Sequence, residues 1–170
     1  MTTEAGLACT TTVYLGAGAA AVWRAITDPE STESWWIHHT VSTWEPGTPW
    51  AHEHTDGSHI ADVAGMVIES EPPHRLVVTW SNPDDGTPVS GPGVTPADRP
   101  VEPSRVSFTI EEYGEIARLT VLHDRLASTA ERDALQAGWA AVLGNLKTYL
   151  ETGRPLPTPP WEMLIGFVRD

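Results

Sequence analysis

The stretch at residues 128–150, STAERDALQAGWAAVLGNLKTYL, has the clearest helical pattern in the chain. Ser128 and Glu131 have the spacing of a capping box, in which the serine caps backbone donors and the glutamate reaches back. Gly153 and Pro155 then end the pattern, as is typical after a helix. Such a helix has about 23 residues and a length of roughly 34 Å, enough to cross an antiparallel sheet. Large apolar side chains recur along it every three to four residues, at Leu135, Trp139, Val142, Leu146 and Tyr149.

The residues before this helix predict strands and two short helices. Thr, Val and Tyr dominate residues 8–15, which favours a first strand. A short helix is expected at residues 19–27, and Asp28 begins a second one that ends near Trp36. From residue 41 to residue 124 the pattern is that of antiparallel strands. In two of them alternation with polar residues marks the inward face: Val106, Phe108 and Ile110 in one, and Ala117, Leu119, Val121 and His123 in the other.

Such a sheet has one apolar face, and the long helix is the only predicted element able to cover it. The sequence therefore predicts an α+β fold. A curved antiparallel sheet of about six to seven strands wraps on one long C-terminal helix, and two short helices follow the first strand. The 170 residues suit a single domain. We expect this domain at residues 1–153, with a Pro-rich C-terminal extension at residues 154–170.

Charge and composition exclude several classes of partner. Ten Lys and Arg against 23 Asp and Glu leave a net charge of −13, which repels nucleic acid and anionic lipid surfaces. The single Cys9 excludes an intramolecular disulfide and suits a reducing compartment. No apolar run approaches the roughly 20 residues that span a bilayer, and the N-terminus lacks a signal-peptide pattern. These features predict a cytoplasmic protein that binds neither nucleic acid nor membranes.

Three blocks of the sequence resemble one protein family. They are VWRAITDPE at residues 22–30, which a Trp pair follows, GMVIESEPPHRLVVTW at residues 65–80, and GWAAVLGNLKTYLE at residues 138–151. In this order they resemble the START-like (SRPBCC) superfamily, and within it the family of heat-shock-protein ATPase activator homologues. The resemblance covers about residues 8–153 and implies the helix-grip fold of that superfamily for the domain at residues 1–153.

The resemblance also implies a cavity, because members of this superfamily bind lipids or polyketides, cyclise polyketides or sequester antibiotics. Ala137, Ala141, Gly144 and Thr148 lie on one strip of the helix, and their small side chains could leave an apolar void against the sheet. Alternatively, they allow close packing or face solvent. We predict that a small hydrophobic or aromatic molecule binds in this void, against Trp36, Trp80, Phe108, Leu119, Val121, His123, Trp139, Val142 and Leu146.

Two other functions remain open at this point. One is an enzyme of the polyketide cyclase or dehydratase kind, which would need inward titratable residues such as His123 and Glu112. His123 and Asp124 cannot form one dyad, because adjacent residues of a strand point to opposite faces. The other is a protein-interaction role, as in a co-chaperone, through the acidic surface.

The histidines allow a metal hypothesis. His52 and His54 lie on one face of a predicted strand, and the Asp-Gly turn that follows would place His54 opposite His59. Three imidazoles on one hairpin face could hold zinc, with a glutamate or water as the fourth ligand. The alternative is a solvated hairpin rim. His38-His39 is interpreted as a helix end. We expect no bound metal and no cofactor.

The tail after Gly153 carries an apolar cluster. Its prolines impose an extended path. Exposed apolar residues in such number would be an association hazard, so we expect the tail to dock on its own domain near the cavity mouth or on a second copy in a homodimer. The cluster consists of Trp161, Met163, Leu164, Ile165 and Phe167.

Overall fold

The computed structural model describes residues 6–81 and 103–164. Residues 82–102 of the long loop, and the tail residues Ile165 and Phe167, lie outside this part of the chain, as do the expectations that concern them.

In the described part of the chain, seven antiparallel strands form one curved sheet and three helices accompany it, so the predicted α+β helix-grip fold is confirmed. Along the sheet the strands lie in the order β1-β7-β6-β5-β4-β3-β2. The strands are β1 (Leu7–Leu15), β2 (His39–Ser42), β3 (Pro49–Glu53), β4 (Ala61–Glu71), β5 (Arg75–Trp80), β6 (Ser104–Tyr113) and β7 (Ile116–Leu126). The helices are α1 (Ala19–Thr27), α2 (Pro29–Trp36) and α3 (Thr129–Thr152).

The helix ends follow from their capping residues. Asp28 accepts a hydrogen bond from the Ser31 backbone N–H at 3.0 Å and so begins α2. Ser128 Oγ accepts from the Glu131 N–H at 3.1 Å, as the capping box predicts. Glu131 reaches back to the N–H of Ala127, one residue before the cap. At the other end Gly153 takes a left-handed conformation with φ of 81°, which a residue without Cβ adopts without strain.

The core lies between α3 and the concave face of the sheet. The predicted inward face of β7 is confirmed, since Ala117, Leu119, Val121 and His123 are all buried. Ser107, expected on the wet face of β6, is buried instead. It is a small side chain in the middle of the sheet, paired with Val77 on one side and Leu122 on the other, and these larger neighbours shield it.

The buried face of α3 differs from the predicted strip of small residues. Trp139, Leu143 and Leu146 point into the core, while Ala137 and Gly144 are exposed. The reason is the helical repeat, since a residue two positions before Trp139 lies about 200° around the helix from it. The interpretation of the small strip as the wall of a cavity is therefore wrong.

Strands β4 and β5 approach each other closely near the end of the sheet. A Cβ atom on Gly65 would lie 2.1 Å from the carbonyl oxygen of Thr79. That same oxygen accepts a hydrogen bond from Trp50 Nε1 at 2.9 Å. Glycine at position 65 is thus required for this close approach, in which the indole of Trp50 on β3 reaches across β4 to β5.

Among the described residues, no helix is both long enough and apolar enough to span a membrane.

Candidate ligand cavity and its histidine corner

A cavity of about 260 Å³ lies between α3 and the end of the sheet where β3, β4 and β5 meet. We call it the aromatic cavity. Its walls come from the last residue of α2, from three neighbouring strands, from one side of α3 and from the tail. The lining residues are Trp36, His38, His52, Asp62, Val63, Trp80, Leu135, Gly138, Trp139, Val142 and Trp161.

Trp139 is the central side chain of the apolar wall. Its ring lies 5.4 Å from that of Trp80 and 6.1 Å from that of Trp36, measured between centroids. Phe108 meets it edge-on at 5.9 Å from the far side. Such tilted and edge-to-face contacts stabilise an aromatic cluster beyond the burial of its area. The wall is therefore a packed unit in which α2, β5, β6 and α3 each contribute one ring.

A directed chain of hydrogen bonds fixes the ring of Trp139. Its Nε1–H donates to His123 Nδ1 at 3.1 Å, so this nitrogen carries no proton. The other ring nitrogen, Nε2, donates to Ser104 Oγ at 2.8 Å, and Ser104 donates to the Trp80 carbonyl at 3.0 Å. Burial lowers the pKa of His123 to about 4, so the ring stays neutral. His123 is therefore a satisfied histidine of the core and holds the cavity wall in place.

Three tryptophans of the cavity keep their indole N–H groups without a partner among the described residues. Trp36, Trp80 and Trp161 form no hydrogen bond there through Nε1. By contrast, the core residue Trp35 donates to the Ala25 carbonyl at 2.8 Å. An unpartnered N–H at a cavity wall offers a donor to a bound molecule.

One corner of the cavity is polar. We call His38, His52, His54 and Asp62 the histidine corner. Asp62 Oδ2 lies 2.7 Å from His38 Nε2, and Asp62 Oδ1 lies 2.7 Å from His54 Nε2. Partial burial would raise the pKa of Asp62, but its hydrogen bonds with the two histidines hold the pKa below the usual value. The hydrogen bond with Asp62 in turn raises the pKa of His54.

His52 lies behind this pair and stays neutral. Its ring stacks on that of His38 at 4.1 Å, and its Nδ1 lies 3.0 Å from Thr40 Oγ1. Burial, and after it the neighbouring His38, lower the pKa of His52 to about 3. His52 thus supports the ring of His38 from inside the protein.

The predicted set of three hairpin histidines is not assembled. His52 is buried and faces Thr40, while His59 is exposed, with Nδ1 3.5 Å from a Glu53 carboxylate oxygen. The reason lies in the turn, where the backbone of His59 takes a positive φ and His54 pairs with Ile60 instead. His38, interpreted as a helix end, does follow α2 but also joins the histidine corner.

Four of the nine predicted ligand-binding residues line the aromatic cavity: Trp36, Trp80, Trp139 and Val142. The structure brings these four together from α2, β5 and α3.

The other five lie behind the wall. Phe108 and His123 contact Trp139 from the side of the sheet. Leu119, Val121 and Leu146 are at most 1% exposed and belong to the core. Sequence alternation identifies inward residues, but it does not tell which of them border an empty space.

The tail places a further aromatic ring on the cavity. Asn145 of α3 is buried and accepts a hydrogen bond from the Leu156 N–H at 2.8 Å, while its amide donates to the Trp35 carbonyl. The tail thus docks on its own domain, and Trp161 reaches the cavity wall. Sequence reasoning missed Asn145, because a single buried amide within an apolar helix pattern gives no periodic signal.

The residues suggested for an enzyme are positioned for other purposes. Glu112 accepts a hydrogen bond from the Ala19 N–H at 2.8 Å and so caps α1, outside the cavity. Asp124 points away from the core and pairs with Arg105 at 2.7 Å. Three titratable groups among the described residues line the cavity: His38 from the connection between α2 and β2, His52 from β3 and Asp62 from β4.

A second depression of about 330 Å³ lies between α1, α2 and the C-terminal part of α3. Alanines, Arg24, Ser31 and Tyr149 line much of it. It lacks the cluster of aromatic rings and the convergent polar groups of the aromatic cavity, so we take the latter as the candidate site.

The fold and the cavity together define the class of this protein: a helix-grip domain whose long C-terminal helix and curved sheet enclose an aromatic cavity. The chain belongs to the family described as "Activator of Hsp90 ATPase homolog 1-like protein", whose family model matches residues 17–151. The resemblance noted in the sequence is confirmed.

Several solved structures have a similar fold, and their names differ widely. DynU16, from the dynemicin biosynthetic locus, is 27% identical, with a TM-score of 0.66 over 87% of this chain and 48% of DynU16. This chain therefore spans about half the length of DynU16. CalU16 from Micromonospora echinospora is 21% identical, with a TM-score of 0.63 over 86% of this chain and 77% of CalU16.

A third similar structure is that of the Aha1 dimer from Colwellia psychrerythraea. It is 16% identical, with a TM-score of 0.63 over 86% of this chain and 98% of that protein. At the identities of CalU16 and the Colwellia protein, the likeness concerns the fold alone. No curated protein sequence matches this chain significantly.

Proposed function

We propose that this protein binds a small hydrophobic or aromatic molecule in the aromatic cavity. The observation that carries the proposal is the cavity wall itself, in which the rings of Trp36, Trp80, Trp139 and Trp161 surround about 260 Å³. Sites for small molecules are mostly apolar, with a few polar groups that orient the ligand. The histidine corner supplies such polar groups here. So do the indole N–H groups of Trp36, Trp80 and Trp161, which have no hydrogen-bond partner among the described residues.

The size and chemistry of the cavity narrow the ligand class. Cavities for drug-sized molecules span about 300–1,000 Å³, and this one is slightly smaller. A planar molecule of one or two rings is a suitable size. Because the indole N–H groups of Trp36 and Trp80 can only donate, the ligand should carry a hydrogen-bond acceptor such as a carbonyl or phenolic oxygen.

Gly138→Leu is the sharpest test of the cavity. Gly138 lines it, and a Cβ atom there would meet nothing within 4 Å, so the larger side chain enters empty space without a clash at its base. We expect the affinity for an apolar fluorescent probe to fall at least about tenfold, since the leucine occupies the space of the ligand. Quenching of tryptophan fluorescence by the probe is the measurement.

Gly144→Leu is the matched control for this variant. It makes the same substitution on the same helix, also in open space, but on the exposed side away from the cavity. Probe binding should stay as in the unchanged protein. Equal affinities of both variants and the unchanged protein would show that the probe binds elsewhere. Native mass spectrometry of the purified protein, which retains a co-purified ligand, then identifies the natural one.

Trp161→Ala tests the role of the tail. Trp161 is part of the cavity wall but only partly buried. We therefore expect probe affinity to fall about tenfold and the free energy of unfolding to change by less than about 1 kcal/mol. Met163→Ala, in the same segment at a 72% exposed position, should change neither quantity. A normal affinity of the Trp161 variant would mean that the tail is passive.

An enzyme of the polyketide cyclase or dehydratase kind is the second candidate. It is favoured by one observation, namely that His38 and Asp62 lie 2.7 Å apart at the wall of an apolar cavity. Such a pair can move protons to and from a bound carbonyl compound. The 27% identity to DynU16, which comes from a biosynthetic locus, supports this candidate. Conversion of a bound ketone, detected as released product, would distinguish it from simple binding.

We also propose that the protein associates as a homodimer and that it is located in the cytoplasm. The fold of the dimeric Colwellia protein supports the former, and sedimentation velocity at several protein concentrations tests it. Binding to a chaperone through the acidic surface remains a prediction from the family resemblance.

A further inference from the structure

Three side chains of the histidine corner converge on one point. His38 Nε2, His54 Nε2 and a carboxylate oxygen of Asp62 all lie within 4.8 Å of one another. The fold brings them together from three places. The left-handed residue Ile37 ends α2 just before His38, and the pairing of β3 with β4 at Glu53 and Ala61 sets His54 beside Asp62.

The hydrogen bond of His38 Nδ1 fixes the tautomer of the neutral ring. Its Nδ1 lies 3.0 Å from the Trp36 carbonyl, which can only accept, so Nδ1 carries the proton. In a neutral imidazole the other nitrogen, Nε2, then has a lone pair, and it faces Asp62 Oδ2 at 2.7 Å. Two lone pairs at this distance need a bridging proton or a bridging cation.

This arrangement is the one that metal-binding histidines show. A ligating histidine usually donates its second ring N–H to a backbone carbonyl or a carboxylate, which fixes the tautomer and aims the other nitrogen at the metal. His38 donates in this way to the Trp36 carbonyl, and the stacked ring of His52 supports it from behind.

Access and charge also favour a cation at this point. The side chains of His38, His54 and Asp62 are 22%, 36% and 48% exposed, so an ion can enter from solvent. The net charge of −13 attracts cations to the protein as a whole. Two imidazole nitrogens and one carboxylate oxygen are a donor set that suits zinc and similar divalent transition metals.

We propose that His38, His54 and Asp62 bind a divalent transition metal ion, with the remaining coordination positions open to the aromatic cavity. Both His38 and Asp62 line that cavity, so the open side of the ion faces a bound molecule. Zinc holds its nitrogen and oxygen ligands at about 2.0–2.2 Å, which places neighbouring ligand atoms about 3.3 Å apart. The present contacts of 2.7 Å therefore need to widen by a small side-chain rotation.

The test is a titration of the full chain, freed of metal by a chelator, with Co²⁺ and with Zn²⁺. Co²⁺ reports its ligands through visible absorption, and calorimetry gives the stoichiometry for Zn²⁺. We expect one equivalent to bind with a Kd below about 10 µM. His54→Ala and Asp62→Asn should each weaken binding at least about tenfold. His59→Ala, which removes an exposed histidine of the same hairpin, should bind as the unchanged protein does.

The outcomes separate this proposal from that of the cavity. Absence of stoichiometric binding, or equal binding by the unchanged protein and both ligand variants, overturns the metal site and leaves the cavity untouched. Circular dichroism checks that the variants are folded. We expect that they are, because the side chains of His54 and Asp62 are partly exposed at the rim of the cavity. Gly138→Leu should bind the metal normally while it loses the apolar probe, so each proposal can fail alone.

Discussion

Trp139→Ala should lower the free energy of unfolding by roughly 3–5 kcal/mol, the usual cost of removing a large buried aromatic side chain. Trp139 is 4% exposed and contacts the rings of Trp36, Trp80, Phe108 and His123. Alanine would join the volume of the indole to the cavity and would leave His123 Nδ1 without its donor. Urea denaturation followed by circular dichroism measures the change.

Trp139→Phe separates the two contributions. Phenylalanine keeps most of the ring contacts but cannot donate to His123, so we expect a loss of roughly 1–3 kcal/mol. Trp161→Ala, at a cavity position that is only partly buried, is the control and should have a much smaller effect. A change of less than about 1 kcal/mol for Trp139→Ala would contradict the role of Trp139 as the centre of the packed wall.

Acidification should destabilise the protein between pH 6.5 and about 5, through two buried histidines. Burial is the main cause of the lowered pKa values, about 3 for His52 and about 4 for His123, against an ordinary value of 6.5. As pH falls below 6.5, the unfolded chain takes up protons at these positions and the folded protein does not. The free energy of unfolding therefore decreases as the pH falls. At pH 5 the loss is about 2 kcal/mol for each histidine.

His123→Gln is expected to flatten this pH dependence by about half, whereas His59→Gln, at an exposed position, should leave it unchanged. His54 acts in the opposite direction, because its pKa is raised in the folded protein. Asp56, Asp62 and Glu151 have lowered pKa values and act mainly at lower pH, outside this window. Identical slopes for the His123 variant and the unchanged protein between pH 5 and 6.5 would falsify the assignment.

The candidate site was only partly accessible from the sequence. The rings of Trp36, Trp80 and Trp139 could be proposed as cavity residues because local features are visible in the sequence: Trp36 and Trp80 lie at element ends, and Trp139 belongs to the apolar repeat of α3. The contact between His38 and Asp62 could not be predicted from the sequence, because these residues are 24 positions apart. Only the fold brings the residues after α2 next to the start of β4. Asp62 gave no signal of its own, since an aspartate at a strand start is usually solvated.

By itself the sequence determined the elements and their order. The capping pair Ser128 and Glu131, the apolar repeat of α3 and the alternation along β7 all act between residues close in the chain, so their physical basis can be recognised without coordinates. Tertiary structure decided which side of α3 faces the cavity, where Trp161 docks, and that His38 and His54 meet at Asp62. These outcomes depend on the rotation of a packed helix and on the register of paired strands. A shift of one residue in that register would turn every side chain of a strand to the opposite face.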